Sequence, residues 1–386
     1  MIGRPVRGTV LLAHPGAELY GSDRVLLESV SALAEDGWRV VVAVPVRGPL
    51  LKELRERGAQ VRLCPSPVLR KSALRPLGML RLIRTTTVGL VAGFRLISRE
   101  RPHVIYVNTM TIPLWLLLGR LRRIPVLCHV HEGEASASRI IRSVLALPLF
   151  LTTAIVANSR FSVGVLESSF SRLGRRAQVV YNGVPGPPDP LPARAQLNEP
   201  VRLTYVGRLS PRKGVDVAID ALALLTDRGI RAHLDVVGSV FPGYEWYERQ
   251  LREQVKTKDL DEHVRFHGFQ QCVWDLVAAG DVVVVPSRAD EPFGDTAVEA
   301  ILSGRPVVAS ATSGLLEATA GYATARTVTP GSPAALADAL QAAIRGWGSS
   351  KDAMRADVEV ARSRHGPDVY RQRIAGIVAS IASAHR

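Results

Sequence analysis

Short apolar runs that alternate with helix-patterned segments constrain this chain more than any other feature it carries. Residues 9–13, 39–44 and 60–63 read as strands, with helical patterns at 22–35 and 50–57 between them. Residues 103–107, 126–130, 154–157 and 178–181 continue the series, again with helical segments between. Runs this short and this uniformly apolar suit parallel strands covered on both faces. The expected product is a doubly wound, mostly parallel sheet.

The series then stops and restarts. Six prolines (185, 187, 188, 190, 192 and 200) crowd a stretch with little that could pack, which reads as a domain linker. Beyond it, 201–206, 233–237, 264–267, 281–285 and 306–309 read as strands, and 215–227, 244–256 and 296–303 as helices. A chain of 386 residues suits two cores rather than one. The expectation is an α/β protein of two Rossmann-like domains, residues 1–187 and 188–366, facing each other across a cleft. A helical pattern near 368–384 lies in a last segment, 367–386, expected to pack back on the first domain.

Charge separates the halves. Residues 1–190 hold 26 Lys+Arg against 12 Asp+Glu, while 191–386 hold 23 of each. A one-sided positive field attracts nucleic acid, anionic lipid or an anionic substrate. Much of the excess lies in 69–101, where Arg70, Lys71, Arg75, Arg81, Arg84, Arg95, Arg99 and Arg101 interleave with apolar residues at roughly helical spacing. Such a helix can lie in a headgroup layer, or pack on the sheet through the same apolar residues. Nucleic acid is not expected as a partner, since no recognised binding motif appears and the basic stretch 69–101 has only Phe94 to stack on bases. The apolar run 10–13 is too short for a secretory leader, and 140–157 reads as a helix followed by a strand rather than a span. Cys64, Cys128 and Cys272 are scattered and read as reduced core thiols. A cytoplasmic protein, peripheral on the inner face of the membrane, is the expectation.

The chemistry concentrates after residues 282–285, a buried strand ending at Pro286. In the loop and helix that follow stand Glu291 and Glu299, with seven residues between them. Gly294 lets the backbone approach a ligand, and Asp295 or Thr296 is placed to cap the helix, whose N–H groups and dipole suit phosphate. Two acceptor-only carboxylates flanking an anion site match a ligand with hydroxyls on either side of a diphosphate, the shape of a nucleotide-sugar. The loop Val206-Gly-Arg-Leu-Ser-Pro-Arg-Lys-Gly214 brings Arg208 and Lys213 together, with Gly207 and Gly214 freeing the backbone. Fixed cations stabilise a departing diphosphate without reorganising.

Taken in order, these motifs resemble the retaining glycosyltransferases of the GT-B fold, family 4, also called group 1, and the resemblance covers nearly the whole chain. Supporting matches are Tyr181-Asn-Gly-Val184, the run 281–287 as DVVVVPS, and 303–309 as SGRPVVA. The resemblance implies that Glu299 accepts hydrogen bonds from the donor ribose and Glu291 holds the hydroxyls of the donor sugar. It implies that Phe293 and Gly294 offer backbone N–H groups, with Asp295 and Thr296 beside them, and that Arg208 and Lys213 grip the diphosphate. Gly207, Gly238, Gly268 and Phe269 would line the donor site, and Gly21 and Ser22, in Tyr20-Gly-Ser-Asp-Arg24, would stand at the phosphate loop of the first domain.

In Cys128-His-Val-His-Glu132 the resemblance places a histidine beside the reacting sugar. His131 matches best, with His129 as competitor on the same face of the strand. Asn158 and Ser159 would line the acceptor side, and His14 follows the first strand. Transfer with retention would use a leaving-group phosphate oxygen to help deprotonate the acceptor hydroxyl, so His131, Glu291, Arg208 and Lys213 would act by position and charge. No metal or other cofactor is expected; Asp259-Leu-Asp261 sits in a polar turn. Expected partners are a nucleotide-sugar donor, a glycan or lipid-linked acceptor and an anionic membrane surface. A small soluble acceptor, or nucleotide-sugar binding without turnover, is the alternative.

Overall fold

The computed structural model describes residues 7–19, 21–69, 76–133 and 135–385, without the side chains of 76–78 and 81. Tyr20, Arg70, Lys71, Arg75 and the side chain of Arg81 lie outside these. Two compact units emerge: residues 1–183 together with 367–386, and residues 184–366. The division falls at Gly183/Val184 rather than at 187/188.

In the first unit the chain runs β1 (Gly8–Ala13), α1 (Gly21–Glu35), β2 (Trp38–Val44), α2 (Leu50–Glu56), β3 (Gln60–Leu63) and α3 (Pro76–Glu100). It continues with β4 (Val104–Val107), α4 (Leu114–Leu121), β5 (Val126–Val130), α5 (Arg139–Ala146), β6 (Ala154–Ala157), α6 (Arg160–Ser169), α7 (Ser171–Arg176) and β7 (Ala177–Val179). The sheet order is β3-β2-β1-β4-β5-β6-β7, with parallel pairing throughout. Val10, Leu12, Val40 and Val42 turn to one core with α1. Leu11, Val41, Ile105 and Val107 turn to the other with α4. Burial on both faces is why these strands carry no polar alternation.

The second unit runs β8 (Val201–Val206), α8 (Val215–Asp227), β9 (Ala232–Val237), α9 (Glu245–Thr257), β10 (Val264–Gly268), α10 (Trp274–Ala279), β11 (Val282–Val285) and α11 (Asp295–Leu302). Then come β12 (Val307–Ser310), α12 (Ser313–Thr319), β13 (Ala325–Val328), α13 (Pro333–Arg345) and α14 (Lys351–His365). Its parallel sheet has the order β10-β9-β8-β11-β12-β13. The final helix, α15 (Pro367–Ser383), belongs to the first unit, where Tyr370, Ile374 and Val378 pack in the core beside α1.

Two expectations change. The proline-rich stretch does pack: Arg194 Nε donates to Asp281 Oδ1 at 2.7 Å, Arg305 Nη1 to Leu191 O at 3.0 Å, and Trp347 Nε1 to Arg194 O at 3.0 Å. Two arginines thus hold it to the second unit, a pairing that sequence spacing does not display. Cys272 is exposed, unlike the buried Cys64 and Cys128, because it follows β10 on a surface loop. Burial pushes the Cys64 thiol up to about 11.

Helix α3 packs inward through its small residues. A Cβ on Gly93 would lie 2.6 Å from Leu118 Cδ1, and one on Gly89 would lie 2.8 Å from Pro65 O. Ala92, Leu96 and Ile97 join the same core. Met79, Leu80, Ile83, Val88, Val91 and Phe94 are left exposed. Of the larger apolar residues of α3, Leu96 and Ile97 pack inward beside the two glycines, while these six face outward.

Candidate active site

Sheet order reverses between β1 and β4 in one unit and between β8 and β11 in the other. Adjacent loops diverge at such a point and leave a crevice beyond the carboxyl ends of the strands. Each unit carries a polar cluster there.

In the second unit, the loops after β8 and β11 are laced together. Gly214, at φ +68°, precedes α8, and a Cβ on it would lie 2.0 Å from Pro286 O. Glycine is needed for that approach. Arg288 N donates to Arg212 O at 2.8 Å, and Arg212 Nη2 to Asp290 O at 2.6 Å. On this frame Lys213 Nζ lies 2.7 Å from Glu291 Oε1, and Ser287 Oγ donates to the same oxygen at 2.8 Å. Glu291 is buried, while the Lys213 side chain keeps 26% exposure. Gly314 N at the start of α12 donates to Glu291 O at 2.9 Å and fixes the backbone behind the carboxylate.

Helix α11 begins from Gly294, at φ +115°. That residue, not Asp295 or Thr296, is the N-cap, since a turn into the left-handed region favours glycine. Glycine brings no side chain to occupy the first-turn N–H groups, which suits them to an anion. Glu299 is half-buried in the second turn of the helix, and the Phe293 ring is buried 5.3 Å from the His365 ring.

The loops after β8, β9 and β10 are stitched by Gly207 N to Val237 O at 2.9 Å, Leu209 N to Ser239 O at 3.0 Å and Gly238 N to Gly268 O at 2.8 Å. The Arg208 guanidinium lies over the Phe241 ring at 4.4 Å, and its carbonyl accepts from Tyr205 Oη at 2.8 Å. Phe269 is 56% exposed. Lys213, Ser287 and Glu291 are thus drawn into one contact set, and Arg208 stacks on Phe241. Ser287 is new to the list; its signal is a hydroxyl at the end of a buried strand, four residues before the acid.

In the first unit, His14 follows β1, Asn108 follows β4 and His131 follows β5. His131 Nε2 lies 3.0 Å from Asn108 Oδ1, Asn108 Nδ2 lies 3.1 Å from His14 Nδ1, and His14 Nε2 lies 2.6 Å from Asp23 Oδ1 on α1. Burial and the neighbouring His14 push His131 down to about 3, so its ring is neutral. Glu132 accepts from Thr109 Oγ1 and, at 3.0 Å, from His131 N. Burial outweighs these bonds and raises its carboxyl above the usual range.

His129 is fully buried under His131, ring centroids 4.0 Å apart, with Nδ1 2.7 Å from Tyr106 Oη. Alternation does put the two rings on one side of the strand, but only His131 reaches the surface. Asn158 and Ser159 are buried too, and Ser159 Oγ caps α6 by accepting from Ser162 N at 3.0 Å. Gly21 and Ser22 form the first turn of α1 and are exposed. Asp23 and Asn108 went unmarked by sequence reasoning; Asp23 stands in the first turn of α1 and Asn108 directly after β4. Among the described residues no group of three or more His, Cys, Asp or Glu has a metal-holding arrangement.

The family profile for glycosyl transferases group 1 matches residues 192–358, and that for the glycosyl transferase 4-like domain matches 20–183. Mannosylfructose-phosphate synthase of Agrobacterium fabrum is 39% identical over 118 residues, 29% of this chain and 26% of that protein. Phosphatidyl-myo-inositol mannosyltransferase of Mycobacterium leprae is 32% identical over 256 residues, 63% of each. The chain thus spans less than two thirds of the length of either relative. The Anabaena protein HepE, solved in complex with UDP-glucose, superposes with a TM-score of 0.80 at 22% identity, over 97% of this chain and 100% of that one. With both units matched and the fold shared, the chain belongs to the group 1 glycosyltransferases of the GT-B fold.

Proposed function

We propose that this protein transfers a sugar, with retention of configuration, from a nucleotide-diphosphate donor to a hydroxyl of a glycan or lipid-linked acceptor. The observation that carries the proposal is the Lys213–Glu291–Ser287 contact beside the N-terminus of α11. A cation and a row of N–H groups suit a diphosphate, and a buried carboxylate suits the hydroxyls of the sugar attached to it. In this reading Arg208 and Lys213 hold the phosphates, Glu299 the ribose, and Glu291 and His131 the sugar. Gly207, Gly238, Gly268, Phe293 and Gly294 shape the donor pocket through their backbone.

Incubation with UDP-glucose and with GDP-mannose tests this. Slow donor hydrolysis that Lys213→Ala abolishes supports it, and NMR of the released or transferred sugar reads the anomer. Neither hydrolysis nor a thermal shift with any nucleotide-sugar sinks it.

The acceptor reading rests on the first unit. The exposed apolar residues of α3 are joined by Leu117 and Leu121 of α4, and by Ile140, Ile141 and Val144 of α5. Exposed arginines 84, 95, 99, 120, 122, 123 and 139 lie among them. Apolar side chains rimmed by arginine suit an anionic headgroup layer. No described helix is long and apolar enough to cross a membrane, so this would be a peripheral contact. Flotation with anionic vesicles at low salt tests it, and absence of binding there leaves a soluble acceptor.

A further inference from the structure

His129 and His131 are ring neighbours held by two separate hydrogen-bond chains, and the chains run in opposite senses. We infer that Asp23, His14 and Asn108 are positioning residues that fix His131 as its Nε2–H tautomer, while Ser29, Tyr106 and Tyr370 fix His129 as the reverse, Nδ1–H.

The first chain is directional from both ends. A carboxylate only accepts, so the 2.6 Å contact between Asp23 Oδ1 and His14 Nε2 keeps a proton on His14 Nε2. The orientation of Asn108 is set by a third group: its Nδ2 reaches Ser22 O at 3.4 Å as well as His14 Nδ1 at 3.1 Å. A backbone carbonyl also only accepts, so the amide nitrogen faces His14 and Ser22, and Oδ1 faces His131. His131 must then donate from Nε2 across the 3.0 Å contact. Since the ring is neutral, Nδ1 carries the lone pair.

The second chain is anchored by a helix carbonyl. Ser29 Oγ donates to Val25 O at 3.1 Å, which uses its only proton. Tyr106 Oη, at 3.0 Å, therefore donates to Ser29 Oγ, while Tyr370 Oη, at 2.5 Å from Ser29 Oγ and also bonded to Tyr106, donates to one of the two. With its own proton committed, Tyr106 Oη can only accept from His129 Nδ1–H across 2.7 Å. His129 Nε2 is left bare, and among the described residues it is a buried nitrogen with no hydrogen-bond partner. Burial holds this ring neutral as well.

For catalysis the consequence rests on the proposed place of His131 beside the sugar. A ring fixed this way meets a substrate hydroxyl through Nδ1, as an acceptor, and so orders the direction of that hydroxyl's proton.

Long-range proton–nitrogen correlation spectra of the protein labelled at histidine nitrogen read both tautomers directly, with assignment from His131→Asn and His129→Gln. The expected result at pH 7 is a protonated Nε2 on His131 and a protonated Nδ1 on His129. The same tautomer in both rings, or a doubly protonated His131, overturns the inference whatever the activity. Asp23→Asn keeps a carbonyl acceptor for His14 and should leave the His131 signature in place. Asp23→Leu, which touches His131 only through two intervening residues, should release it into a mixture and lower kcat roughly tenfold at constant nucleotide KM. A His131 spectrum unchanged in Asp23→Leu overturns the relay. A tautomer that shifts with kcat unchanged upholds the relay and removes His131 from the reaction instead.

Discussion

Glu291→Gln separates the two jobs proposed for the second-unit cluster. Lys213 Nζ is held 2.7 Å from Glu291 Oε1, so a diphosphate must compete with the carboxylate for that ammonium. With Lys213 26% exposed, the pair is partly screened, and giving it up costs about 0.5–1 kcal/mol rather than the larger figure for fully buried pairs. Neutralising Glu291 removes this competition. Affinity for the bare nucleoside diphosphate should then stay level or rise, by up to roughly fivefold. Transfer should respond in the other direction. A charged acceptor lost from a sugar hydroxyl is worth about 1.5–3 kcal/mol, and kcat/KM for the nucleotide-sugar should fall by roughly ten- to a hundredfold. Calorimetry with UDP or GDP reads the first effect, and steady-state transfer the second. The variant should stay folded, because glutamine offers Ser287 Oγ the same acceptor at 2.8 Å. If diphosphate binding weakens together with turnover, Lys213 does not face the phosphates in competition with Glu291. If turnover is unchanged, Glu291 does not hold the sugar.

Gly214→Ala should destabilise the second unit by about 2–4 kcal/mol, since φ is +68° and the new Cβ meets Pro286 O at 2.0 Å; chemical denaturation checks it. Tyr370→Phe removes the hydroxyl bonded to Ser29 Oγ and should cost about 1 kcal/mol, a fall of about 2–4 °C in the thermal midpoint of the first unit. His365 is pushed down to about 4 by burial and the neighbouring Arg364, so the unfolded chain binds its proton first. The stability this residue contributes is therefore full above about pH 6.5 and lost as pH falls toward 4. The loss is about 3 kcal/mol at most, and His365→Gln should flatten that limb of a denaturation series. Val144→Glu, in the exposed stripe of α5, should cut binding to anionic vesicles severalfold while leaving soluble-donor hydrolysis unchanged.

What the sequence displayed and what it hid follow from the range of the forces involved. Strands such as β11, four valines buried on both faces, announce themselves because burial acts on every residue of the run. The placement of Glu291 in a loop between strand and helix was legible for a related reason, since the valine run before it and the glycine and helix pattern after it bound the loop. Arg305 was not legible. It donates to the carbonyls of Ala278, Gly280, Leu191, Ser303 and Gly304, yet nothing near residue 305 marks those partners. The inward face of α3 was legible only in part: Leu96 and Ile97 do pack inward, but glycines 89 and 93 pack there too, and hydrophobic periodicity weighs large residues. Asn108 and Asp23 escaped because their meaning lies in a chain of contacts among β1, β4, β5 and α1, which only topology assembles.

That chain also gives the two switch points different electrical characters. At the edge of the first sheet, His131 is held neutral and the Glu132 carboxyl is raised toward its neutral form, so the cluster meets a ligand with hydrogen bonds rather than charge. At the edge of the second, Lys213 and Glu291 form an ion pair, and Gly294 leaves the N–H groups of α11 clear of any cap side chain. A neutral hydrogen-bonding edge discriminates hydroxyls by direction, because a mispaired buried polar group costs about 1–3 kcal/mol. A charged edge gains most from an anion and is nearly indifferent to hydroxyl geometry. Donor affinity should therefore fall with ionic strength while acceptor selectivity does not. A salt series of KM for the nucleotide-sugar, beside the product ratio from two competing acceptors, measures both. Equal salt dependence in the two would mean that the edges do not divide the work this way.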